Sequence, residues 1–130
     1  MKVDLSKNAI SDIGLRAFAD ILGVHYSKNT ISMNLSFLNL SSNSITSAGF
    51  EYFCRCMSAN RTLETMILDD NPLGQGERFF QIKFYLSKNW GLKSLSLCNV
   101  SLREKDLKFV SEGMEGNRSL EELNLSKNEI

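Results

Sequence analysis

The stretch Leu120-Glu121-Glu122-Leu123-Asn124-Leu125-Ser126-Lys127-Asn128-Glu129-Ile130 decides the fold. Leu123 and Leu125 flank a polar residue, the two-residue period of a short strand with one buried face. Asn128 follows where the chain turns away from the strand, and Ile130 is the next apolar position. Written as a pattern, the stretch is Leu-x-x-Leu-x-Leu-x-x-Asn-x-Leu/Ile. A buried Asn in that slot can satisfy backbone groups of its turn, and stacked Asn side chains can form a ladder between neighbouring turns.

The pattern recurs through the chain. Leu35–Ile45 fits at every position, Leu63–Leu73 fits with Met66 for one leucine, and Leu92–Leu102 fits with Val100 in the Asn slot. Val3–Ile10 enters partway through it. The slots fall at 8, 43, 71, 100 and 128, intervals of 35, 28, 29 and 28 residues. Five matches held in phase mark a repeat architecture. The tetrapeptide Leu-Ser-Lys-Asn at 5–8 and 125–128 is in phase, whereas the copy at 86–89 is not and falls at the close of a helix.

This pattern resembles the leucine-rich repeat family, and its long period resembles the intracellular, ribonuclease-inhibitor-like subclass. The resemblance covers essentially the whole chain. It implies an α/β leucine-rich repeat solenoid with parallel strands on a concave face and helices on a convex face. Residues 1–130 then form a single domain of about four and a half repeats.

Between the strands the apolar spacing becomes helical. Phe50, Phe53, Cys54 and Met57 share one face, as do Phe79, Ile82 and Leu86, and Leu107, Val110 and Met114. Asn60, Asn89 and Asn117 each stand three residues before the next repeat's first leucine. One such unit cannot bury its apolar stripe alone, so units stack. Val100 cannot supply the bonds of an Asn, which predicts a local irregularity at its turn. The longer first interval predicts an extra helical turn and a looser loop around Asn29–Asn34. Neither end of the chain reads as a polar cap. The expectation is a fragment of a longer repeat protein, with further repeats or a capping partner at both ends. The alternative is a short protein whose ends are covered by a partner or by self-association.

The formal net charge is zero, which speaks against a general attraction to nucleic acid or to anionic membranes. No apolar run approaches the roughly 18–20 residues of a membrane span, and the first residues lack the apolar core of a signal peptide. Cys54, Cys56 and Cys98 read as reduced packing residues in a reducing, cytoplasmic setting. His25 is the one histidine, so no His-rich metal cluster can be built. No nucleophile, base or metal set converges. Gly74-Gln75-Gly76 reads as turn glycines and Asp69-Asp70 as solvated turn residues, the alternative for the pair being a cation or basic partner. The expectation is a protein that is not an enzyme and has no cofactor or metal.

Strand alternation aims three cross-strand columns at the concave face: Phe37, Thr65, Ser94 and Glu122; Asp4, Asn39, Ile67, Ser96 and Asn124; and Ser6, Ser41, Asp69, Cys98 and Ser126. Phe37 and Ile67 stand out as apolar. Partner binding is therefore expected at Phe37, Asn39, Ile67, Asp69, Ser96, Cys98 and Asn124. A second candidate is convex. Phe80, Phe84 and Tyr85 lie off the buried stripe of the third helix and Trp90 follows it, so they either thicken the core or dock another domain or subunit. The resemblance implies a menu of roles: enzyme inhibitors, activators of small GTPases, actin-filament caps, innate sensors and ciliary parts. One fold hosts many functions, so it does not choose among them. The leading expectation is a non-catalytic scaffold for a protein partner. The alternatives are an architectural subunit of a ciliary or cytoskeletal assembly, and a regulator supplying a catalytic arginine. For the last, Arg61 and Arg118 lie before strands and Arg103 after one.

Overall fold

The computed structural model describes residues 1–23 and 34–130. Among these, the strands β1 (Lys2–Asp4), β2 (Phe37–Asn39), β3 (Thr65–Ile67), β4 (Ser94–Ser96) and β5 (Glu122–Asn124) form one parallel sheet in chain order. The register aligns Val3, Leu38, Met66, Leu95 and Leu123 in a single inward column. Helices α1 (Ser11–Leu22), α2 (Ser47–Met57), α3 (Gln81–Lys88) and α4 (Glu104–Gly116) form the second layer, each packed on the next. The extra turn and loose loop expected around Asn29–Asn34 fall largely on residues 24–33, outside the described residues.

The core lies between the layers. Leu38, Leu40, Met66, Leu68, Leu95 and Leu97 supply its strand side. Phe50 and Phe79, fully buried, stack with ring centroids 5.5 Å apart and couple the second repeat to the third. The stripes expected on α2 and α3 are buried as the spacing requires. On α4 only Val110 of its expected three is fully buried, while Leu107 and Met114 are half-buried. Gly113 faces α3 instead: a Cβ there would lie 2.9 Å from Leu86 Cβ, so the two helices meet at close range.

The Asn ladder is present, and each rung serves the preceding repeat as well as its own. Asn43 Oδ1 accepts from the amides of Asn8 (3.0 Å) and Ile10 (3.1 Å). Its Nδ2 donates to the carbonyls of Leu5, Leu40 and Ser41. Asn71 does the same for Asn43 and Ile45, and Asn128 for Val100 and Leu102. The residues on both sides of Asn8 and Asn43 take left-handed backbone, as at Ser42 and Ser44 (φ 56° for both).

This arrangement corrects the expectation at Val100. Its own turn is regular, with Asn99 at φ 54° and Ser101 at φ 63°, because Asn128 completes it from the next repeat. The irregularity appears one repeat earlier, where Val100 should have served. There the Leu73 amide folds back on the Asn71 carbonyl at 2.8 Å, a three-residue turn around Pro72. Proline fixes φ near −65°, so Pro72 cannot take the left-handed backbone of Ser44 or Ser101. Gly74 then crosses the next turn so closely that a Cβ would lie 1.9 Å from the Ser101 carbonyl oxygen.

A second ladder, which the sequence reading did not foresee, runs along the helix-to-strand turns. Asn89 Oδ1 accepts from the Gly91 and Leu92 amides, and its Nδ2 donates to the carbonyls of Met57 and Asn60. Asn117 repeats the pattern on Ser119, Leu120, Leu86 and Asn89.

Replacing Asn43 with alanine strips partners from two turns at once. We expect Asn43→Ala to lower the unfolding free energy by about 2–3 kcal/mol. Asn8→Ala, at an exposed rung, should cost about 1 kcal/mol or less. Urea unfolding midpoints for the two variants check the difference, and equal losses would refute the account.

Candidate functional site

The strand face brings the seven predicted concave residues onto one surface. Phe37 pairs with Thr65 and Asn39 with Ile67, so Phe37 and Ile67 sit on adjacent strands two positions apart, on the same side. Both are half-buried. The polar members are already engaged. Asn39 Oδ1 accepts from the Ser41 amide (3.0 Å) and hydroxyl (2.7 Å), and Asn124 does the same for Ser126 at the same distances. Asp4 accepts from the Ser6 amide at 2.9 Å, and hydrogen bonds from Ser6 hold its carboxyl below the usual value. Ser96 is too short for this role. Asp69 reaches over from the previous repeat, its Oδ1 accepting from the Ser96 hydroxyl (2.6 Å) and the Cys98 amide (2.9 Å). The Ser126 hydroxyl donates to the Cys98 sulfur at 3.3 Å. These bonds hold the polar side chains in place and leave Phe37 and Ile67 as the large apolar side chains among them.

On the helix face, Phe80 is half-buried and meets Phe84 and Phe109 edge-on, with centroids 6.5 and 6.4 Å away. The Lys83 ammonium lies 5.1 Å from the Phe84 ring centroid and 5.8 Å from that of Phe109. Phe84 is 43% exposed and Trp90 59%, the latter with the Arg61 guanidinium 5.9 Å from its ring. Tyr85 does not join them, which corrects its place among the convex candidates. It is fully buried, because its spacing of three from Ile82 puts it on the inward stripe beside Leu86. Among the described residues its hydroxyl has no hydrogen-bond partner, and burial raises the phenol's pKa.

Between α2 and α3 lies an open cleft of about 290 Å³, walled by Cys54, Arg55, Ser58, Gln81, Phe84, Tyr85 and Lys88. No periodicity in the sequence announces it. Cys54 is buried, and burial pushes its thiol up, away from nucleophilic use. All three cysteines are free thiols. Among the described residues no group of three or more His, Cys, Asp or Glu is placed to hold a metal. Nor, among them, is any helix long and apolar enough to cross a membrane.

A family model described as Leucine Rich repeat matches residues 1–19, 32–54 and 116–130. With the parallel sheet and the alternation of strand and helix, the match supports the leucine-rich repeat family. The fold, one parallel sheet whose strands alternate with helices, fits an α/β leucine-rich repeat solenoid. The turns that depart from the pattern, at Pro72 and Val100, lie outside the matched segments. None of the curated proteins is a match. Leucine-rich repeat domains generally mediate protein–protein interaction, so the two faces of the solenoid are the surfaces to weigh.

The unpartnered hydroxyl of Tyr85 makes a direct check on the buried stripe. Tyr85→Phe should leave stability unchanged or raise it by about 1 kcal/mol, since it removes a desolvated group that bonds nothing. A thermal or urea melt showing a loss of more than about 1 kcal/mol would mean that the hydroxyl has a partner.

Proposed function

We propose that this solenoid is a non-catalytic scaffold that binds a protein partner through its concave strand face. The observation that carries this reading is the apolar pair Phe37 and Ile67, two positions apart on adjacent strands and on the same side, among polar groups already bonded within the sheet. Aromatic and aliphatic anchors in a polar surround are where protein interfaces concentrate their energy. The helix in each described repeat and the spacing of 28–29 residues support the ribonuclease-inhibitor-like subclass. Three free thiols support a reducing, cytoplasmic setting.

An architectural role is the second reading, favoured by exposed Phe84 and Trp90 on the helix face. Catalytic help in trans has less support. Arg61 is held by the carbonyls of Ser58, Asn60 and Lys88, and Arg103 by the Gly74 carbonyl.

Affinity capture from the source cells, with mass spectrometry of what is bound, separates the two readings. Wild type is run beside the double variant Phe37→Asp/Ile67→Asp, its folding checked by circular dichroism. We expect at least one protein to be held by wild type and lost from the variant, its Kd weakened by about a hundredfold. The same proteins on both would overturn the strand-face reading in favour of the helix and end surfaces.

A further inference from the structure

The cleft between α2 and α3 has a charge that the chain as a whole does not. α3 is 8 residues long, against 11 for α2 and 13 for α4, and the cleft runs along it from Gln81 to Lys88. Glu51, 8% exposed, is the carboxylate at its rim, and two guanidinium groups share it: Arg55 at 2.8 Å and Arg78 at 2.9 Å. Arg61 joins the far end through the carbonyls of Ser58 and Lys88. Neither Arg61 nor Lys88 has a carboxylate within ion-pair distance among the described residues. Among the described residues, Arg55 and Lys88 thus line the cleft, with Arg78 and Arg61 bonded to its surroundings. Glu51 is the carboxylate that pairs with two of these four cations, on a chain whose formal net charge is zero. Phe84 supplies an exposed apolar wall, and Trp90 stands beyond Lys88.

We propose that this cleft is a docking groove for an acidic segment of a partner protein. A carboxylate of that segment pairs with Lys88 and the outer edge of Arg61, and a neighbouring apolar side chain lies on Phe84. Charge complementarity selects the occupant: the rim carries unneutralised cations and the wall is aromatic, so an Asp or Glu beside an aromatic or aliphatic residue fits both. The volume, about 290 Å³, is at the small end of ligand sites and holds a few side chains. A protein segment suits it better than a membrane, because a recessed cleft between two helices turns its cations away from a flat layer of headgroups. The groove lies on the opposite layer from Phe37 and Ile67, so the proposal is independent of the strand-face reading.

Selection of displayed random peptides on the wild-type protein tests it. Selected peptides are then labelled and their binding followed by fluorescence anisotropy. The variants are Lys88→Glu and Phe84→Ser, both at exposed positions, with Phe37→Asp/Ile67→Asp as the strand-face control. The expected result is a set of peptides with Asp or Glu next to an aromatic or aliphatic residue. Their affinity falls about tenfold or more in each groove variant and on raising salt from about 50 to 500 mM, and is kept in the strand-face variant. The proposal is overturned if no peptide is selected, if the selected peptides lack acidic residues, or if Lys88→Glu binds as well as wild type. Loss in the strand-face variant alone would also overturn it. Co-sedimentation with phosphatidylserine vesicles that Lys88→Glu abolishes, without peptide binding, would assign the cations to a membrane surface instead.

Discussion

The backbone of three of the turns is completed by the repeat that follows. Asn43 closes the turn at Asn8 and Ile10, Asn71 the turn at Asn43 and Ile45, and Asn128 the turn at Val100 and Leu102. The second ladder, through Asn89 and Asn117, ties the opposite corner of each unit to the one before. Stability therefore resides in the interfaces between repeats as much as in the repeats themselves, the behaviour of a nearest-neighbour stack. The two ladders also hold adjacent strands at sheet spacing, near 4.8 Å, while packed helices need about 8–10 Å. That mismatch makes the strand layer the concave one.

A constraint that reaches backwards also displaces its own failures. Val100 fits its own turn well, and the missing acceptor is felt by Leu73, whose amide bends around Pro72 to the Asn71 carbonyl. Gly74 must then pass against the Ser101 backbone, where no side chain would fit. The chain stays in turns until Gln81, so α3 is short, and the cleft lies between it and α2. The substitution in the ladder is thus felt at the turn of Pro72, a repeat away from where it occurs.

The strands, the helices and their order were legible because each rests on local spacing: alternation around Leu38 or Leu95, and apolar residues three and four apart in Phe50–Met57. What was not legible depends on partners about one repeat away in sequence. The position of the irregularity depends on which turn an Asn serves. The engagement of Asp69 depends on Ser96 and Cys98 lying beside it. Tyr85 is a different case: from Ile82, both Tyr85 and Leu86 satisfy helical spacing, and a stripe one residue wide was too narrow to admit both. The cleft depends on where α3 begins, which no apolar pattern records.

The two faces differ in what binding would demand of them. On the strand face the ladders fix the backbone, and Asn39, Asp69 and Asn124 are already fixed by their own bonds. A partner meeting Phe37 and Ile67 orders little that is not ordered already, so most of the apolar burial there is available as affinity. The helix face presents Lys88 and Arg55 on long stems, Arg55 with 63% of its side chain exposed. Holding such side chains in one geometry costs about 1–2 kcal/mol each in rotamer entropy. Their attraction acts beyond contact distance and weakens with salt. A preorganised apolar face favours a slow off-rate, and a flexible cationic groove favours a fast on-rate. A partner touching both would be drawn in by the second and retained by the first.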